Sequence, residues 1–93
     1  MTESEIQRRL VKQFEGQGWL VVKLVLTSKP GMPDLLLLRD GVARFVEVKR
    51  NGVKPRPLQN YRIAELNRLG FDVDVIDDKT VTSHKHDSYL TDF

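Results

Sequence analysis

Gly31-Met32-Pro33-Asp34-Leu35-Leu36-Leu37-Leu38-Arg39-Asp40-Gly41-Val42-Ala43-Arg44-Phe45-Val46-Glu47-Val48-Lys49 is the stretch whose reading decides the fold. Leu35 to Leu38 form one apolar block and Val42 to Val48 a second, separated by a short link containing Asp-Gly. Two β-rich runs joined by Asp-Gly are a strong local hairpin signal, because both turn positions need a positive φ. With Asp40 and Gly41 at the turn, Arg39 pairs with Val42, Leu38 with Ala43 and Leu36 with Phe45. Asp34 then faces Glu47. Cross-strand partners lie about 5 Å apart at Cβ, and like charges placed there repel. Glu47 and Lys49 are two apart and share a face. Two carboxylates and an ammonium thus converge on one patch, where a divalent cation would relieve the repulsion. Carboxylate oxygens suit Mg²⁺ or Mn²⁺. Either half of the pattern alone is weak, since Glu-x-Lys is common on exposed strands and Pro-Asp often only opens a turn. The register that joins the halves is what gives it specificity.

Working outward, Thr27 to Pro33 reads as a loop that delivers Asp34 in an extended conformation, because a residue before proline avoids the α region. Its hydroxyls and Lys29 suit a phosphate, and an ordinary connector fits equally well. After the hairpin come Arg50, Lys54 and Arg56, which with Lys49 make four basic residues and no acidic one between 49 and 57. Beside a carboxylate pair such a segment reads as a phosphate contact rather than a merely solvated loop. Pro57 to Leu69 reads as a helix, opened by Pro57 and closed before Gly70. Leu58, Ile63, Leu66 and Leu69 lie on one broad face, and Gln59 lies there too, where a buried amide needs a hydrogen-bond partner.

Toward the N-terminus, Thr2 to Glu15 reads as a helix with Thr2 as N-cap and Glu5 completing a capping box. Ile6, Leu10, Val11 and Phe14 form the apolar stripe. At about 100° per residue Glu3 falls at the centre of that stripe and Glu5 well away from it. Glu5 therefore belongs to the cap, while Glu3 points toward the core face. Trp19 to Leu26 reads as a strand with Trp19 in the core. Leu20, Val22, Leu24 and Leu26 share one face of it, and Trp19, Val21, Lys23 and Val25 the other. Asp72 to Ile76 reads as the last strand. From Asp77 to Phe93 the chain is polar with scattered apolar residues. His84 and His86 there read as part of a tail rather than as ligands, and Tyr89, Leu90 and Phe93 as residues able to dock on a neighbour.

With 93 residues the chain is expected to form one domain with a modest core, which extra surface from a second subunit would help. No long apolar segment or signal-peptide pattern is present, which points to the cytoplasm and away from a membrane. The absence of cysteine excludes a disulfide framework and a thiolate metal site. The net charge of +2 permits nucleic-acid binding without requiring it, so local clustering must decide.

Pro33-Asp34 with Glu47-Val48-Lys49 resembles the PD-(D/E)xK nuclease signature. The wider frame over about residues 2 to 77 resembles the small stand-alone VRR-NUC nucleases of phages and bacteria: a helix carrying Glu, then Gly31-x-Pro33-Asp34, Glu47-Val48-Lys49, and Gln59. The resemblance implies an α/β, restriction-endonuclease-like αβββαβ core, a mixed sheet with flanking helices. It implies one such domain over 1–93, with 78–93 a tail of no assigned role. It also implies a metal site of Asp34 and Glu47 with Glu3 and the Val48 carbonyl, and catalysis by Asp34, Glu47, Lys49 and Gln59. DNA contacts would come from Lys29, Arg50, Lys54 and Arg56. The activity implied is metal-dependent, structure-selective DNA endonuclease cleavage like that of a Holliday-junction resolvase acting on branched DNA as a homodimer. The alternatives are a flap or single-strand nuclease of the same family and a nucleic-acid-binding module that does not cut.

Overall fold

The computed structural model describes residues 1–78, and the expectations for the two histidines and for Tyr89, Leu90 and Phe93 lie outside them. Helix α1 (Glu3–Gly16) is followed by strands β1 (Leu20–Lys23), β2 (Leu35–Arg39) and β3 (Val42–Val48), helix α2 (Pro57–Arg68) and strand β4 (Asp72–Ile76). The strands form one sheet in the order β1-β2-β3-β4. The β1–β2 and β2–β3 pairs are antiparallel and β3–β4 is parallel, so α2 makes the crossover that a parallel pair requires. This is the expected αβββαβ core with a mixed sheet.

The hairpin register is the one read from the sequence, from Leu35 opposite Val46 to Arg39 opposite Val42. Asp40 has φ 49° and Gly41 φ 77°, the two positive values a two-residue turn needs. Pleat alternation then sorts the side chains. Leu35, Leu37, Val46 and Val48 bury against Ile6, Leu10 and Phe14 of α1, with Trp19 and Ile76 completing the cluster. Burying each such side chain contributes roughly 1.5–3 kcal/mol. Trp19 enters because Gly18, at φ 90°, turns the chain back so that the Trp19 N–H donates to the Phe14 carbonyl at 3.1 Å. Arg39 lies 4.4 Å above the indole and donates to the Gln17 carbonyl at 2.7 Å, closing that end of the layer.

Three boundaries and faces differ from expectation. Helix α1 runs on to Gly16. The strand expected over 19–26 pairs only over Leu20–Lys23. The Leu24 N–H still donates to the Asp34 carbonyl at 2.8 Å, a last bond beyond the paired strand. The ladder stops, and Val25 and Leu26 are 81% and 95% exposed. The apolar face of α2 is also less used than its pattern implies: Leu66 is buried, whereas Leu58 and Leu69 are exposed. Helix α2 packs along β4, with Phe45 and Phe71 edge to face at 6.0 Å. It leaves Leu20, Val22 and Leu38 uncovered on its own side of the sheet.

The 27–33 loop is pinned to the start of α2. Arg62 donates to the Pro30 carbonyl at 3.1 Å and pairs with Glu65. Gly31 has φ 81°, and a Cβ there would stand 2.7 Å from the Leu58 carbonyl oxygen. A left-handed non-glycine residue costs roughly 1–2 kcal/mol before any clash. Gly31→Ala should therefore lower stability by about 2 kcal/mol or more and displace Asp34 three residues on, which a urea melt and a cleavage assay would read together. A midpoint within experimental error of the parent would show that the loop yields instead.

Candidate active site

The hairpin ends, the segment after β3 and the first turn of α2 meet at one end of the sheet. Asp34 stands one residue before β2, where the register continues to set it opposite Glu47. Its Oδ2 accepts the Val48 N–H at 2.8 Å, so the backbone of β3 fixes the carboxylate. Glu47 is 1% exposed. Its Oε2 accepts from Gln59 Nε2 at 2.7 Å and lies 3.4 Å from Lys49 Nζ. Its Oε1 is buried and has no hydrogen-bond partner among the described residues.

The electrostatics follow from this placement. Burial, and then the Asp34 charge, push the Glu47 carboxyl up from 4.5 to about 7, against the pull of Lys49. Burial also raises Asp34, helped by Glu3 and opposed by the Val48 N–H and Lys49. One ammonium among two carboxylates leaves a negative charge uncompensated in a poorly solvated place, which is costly for the ionised protein. Gln59 is held at both ends of its amide, since its Oε1 accepts the Arg56 N–H at 2.9 Å. That second bond closes the start of α2 and fixes which end of the amide faces Glu47.

Asp34, Glu47, Lys49 and Gln59 are thus brought together. Glu3 is half-buried at the start of α1 and acts on both carboxylates through its charge, without a hydrogen bond to either. Glu5 is at the cap: its carboxylate accepts from the Thr2 N–H and hydroxyl, and these bonds hold it below the usual carboxylate range. Among the described residues no three His, Cys, Asp or Glu side chains converge closely enough to form a metal cluster by themselves. The donors nonetheless fit a hard divalent cation: Asp34 and Glu47 supply carboxylate oxygens, and Glu47 Oε1 is a buried acceptor with nothing to accept. Lys29, Arg50, Lys54 and Arg56 are exposed and make no ion pair among the described residues. Two positioning residues escaped the sequence reading. Gly31 stood in the quoted pattern without a role, and Arg62 has no signal short of knowing that the loop crosses α2.

A model of the VRR-NUC domain matches residues 1–79. The chain is 37% identical over 82 residues to "Putative nuclease p44" of Acyrthosiphon pisum secondary endosymbiont phage 1, covering 87% of this chain and 88% of that one. A solved structure described as a VRR_NUC domain superposes with a TM-score of 0.77 at 35% identity, covering 97% of this chain and 94% of the other. No helix among the described residues is long and apolar enough to cross a membrane. Sequence and architecture agree, and the chain belongs to the VRR-NUC domain family of nucleases.

Proposed function

We propose that this protein is a Mg²⁺- or Mn²⁺-dependent DNA endonuclease that hydrolyses phosphodiester bonds at Asp34 and Glu47. The observation that carries the reading is the opposed carboxylate pair with an orphaned, buried Glu47 Oε1. Asp34 and Glu47 would hold the cation, with Glu3 and the Val48 carbonyl as further donors. When bound there, the cation supplies Lewis-acid polarisation of the phosphate and lowers the pKa of water. The chain's own groups do the rest. Lys49 donates to the phosphate oxygens as negative charge builds on them, or steers the proton of the attacking water. Gln59 orients Glu47 through its fixed amide. Lys29, Arg50, Lys54 and Arg56 hold the phosphate backbone on either side. Covalent attack by a side chain is not required.

The substrate best suited to this reading is branched DNA, cut as by a Holliday-junction resolvase. Two opposed strands need two sites, and a two-fold homodimer supplies them. The uncovered apolar side chains Leu20, Val22 and Leu38, with Val25 and Leu26 beyond them, give a dimer surface to bury. The test is cleavage of four-way junction, flap, single-stranded and linear DNA with Mg²⁺, Mn²⁺ or EDTA, beside light scattering at micromolar concentration. Paired cuts on the junction by a dimer are expected. A monomer that nicks flaps or single strands would favour the single-cut reading, and no cleavage with either cation would leave a binding module.

A further inference from the structure

We propose that the outer face of α1 is a second track for phosphate backbone, on which Arg8, Arg9 and Lys12 hold one arm of the DNA cut at Asp34 and Glu47. This rests on the nuclease reading and adds a surface to it. At about 100° per residue Arg8 and Lys12 lie roughly opposite the Ile6–Leu10–Phe14 stripe and Arg9 on its flank, and all three are exposed. With Glu5 they line an open hollow of about 300 Å³. Three arginines elsewhere in the chain have structural work. Arg39 closes over Trp19, Arg44 pairs with Asp72 and Asp74, and Arg62 holds the 27–33 loop. Arg8, Arg9 and Lys12 make no hydrogen bond and no ion pair within 4.0 Å among the described residues. The acidic neighbours make no ion pair with them: the Glu5 carboxylate is tied to Thr2 and feels Arg8 only through its charge, and Glu15, one turn past Lys12, stays more than 4.0 Å from it.

The placement brings the N-terminal end of this helix to the site, through its core-facing side. Glu3, whose charge reaches Asp34 and Glu47, is on the first turn of the same helix. Arg8 follows about 7.5 Å along the axis and Lys12 about 6 Å further. One strand of a duplex carries a charge every ~3.4 Å of axis, so the Arg8–Lys12 step spans about two phosphates. The basic segment from Arg50 to Arg56 follows β3 and leads into α2, whose Gln59 bonds Glu47. A DNA held by both would be gripped at two places beside the scissile bond, as an arm leaving a branch point is.

The test compares the full chain with R8A/K12A. Binding to a labelled four-way junction is measured against salt in an Asp34→Asn background, so that the DNA stays intact. Each lost phosphate contact flattens the slope of log K against log salt by about 0.9, so the double variant should flatten it by about two. R8K/K12R should keep the parent slope. With Asp34 intact, single-turnover cleavage by R8A/K12A at saturating protein should keep the parent rate, and the melting temperature should not move. An unchanged slope would overturn the proposal and leave an acidic protein surface as the occupant. A fall in the saturated rate would overturn it too, by placing these residues in the chemistry. Absence of cleavage by the parent protein would count against the nuclease reading, while the binding slopes would still decide this one.

Discussion

Asp34→Asn and Glu47→Gln should each lower cleavage by on the order of 10³-fold or more, with the fold intact. The amides preserve the local bonding. The new side-chain carbonyl in Asp34→Asn can still accept the Val48 N–H, and that in Glu47→Gln can still accept from Gln59. What each change removes is a charged oxygen donor from a site that has two close carboxylates and a third at a distance. Packing therefore survives while cation binding does not, and activity falls without unfolding. Asp34→Asn also removes one of two like charges in a poorly solvated place, so its metal-free protein should melt at or above the parent temperature. Calorimetry in EDTA and cleavage in Mg²⁺ separate the two effects. Activity within tenfold of the parent in either variant would sink the mechanism.

The metal-free protein should lose stability as pH rises. Glu47 titrates near 4.5 when unfolded and is pushed up to about 7 in the folded chain, so the native state holds its proton more tightly. That contribution is fully present below pH 4.5 and is lost between 4.5 and about 7. Its size is about 3 kcal/mol, since each pH unit of difference is worth about 1.4 kcal/mol. Asp34 is shifted in the same direction by the same burial and adds to the trend. A divalent cation binds the ionised carboxylates, so Mg²⁺ should stabilise little at about pH 5 and most at about pH 8. Urea melts across that range, with EDTA and with Mg²⁺, would read both slopes. Glu47→Gln should remove most of the EDTA slope. A metal-free protein whose stability is flat or rises over this window would show that Glu47 is not desolvated as the fold implies.

The hairpin was legible because all its information is local. An Asp-Gly pair with alternating or apolar flanks fixes both the turn and the register, and the register alone sets Asp34 against Glu47. The capping box was legible for the same reason, which is why Glu5 could be assigned to Thr2 and Glu3 left for the core side. What depended on partners far along the chain was not legible. The outer half of the expected 19–26 strand has no ladder partner past Asp34, a fact invisible until β1 is paired with β2. The parallel β3–β4 pairing that places Arg44 between Asp72 and Asp74 leaves no local mark. On α2 the apolar face is real, yet the helix follows β4 and leaves Leu58 and Leu69 outside. The wheel showed only that the Gln59 amide needs a partner, the family resemblance placed it near the site, and its second bond to the Arg56 N–H required the backbone.

The two-residue turn at Asp40 and Gly41 has a consequence for which changes in chain length this protein can absorb. Side chains alternate strictly across a strand, so adding or deleting one residue at that turn sends every later side chain to the opposite face. Glu47 would swing into the layer now filled by Val46 and Val48, and those valines would take its place. The turn is therefore a ruler that measures the distance between the two carboxylates in single residues. The Arg50–Arg56 segment measures nothing of the kind. Length variation during divergence should be barred from the tip of the hairpin and permitted in that basic segment, so that new DNA preferences are acquired at a place where the spacing of the catalytic pair is untouched.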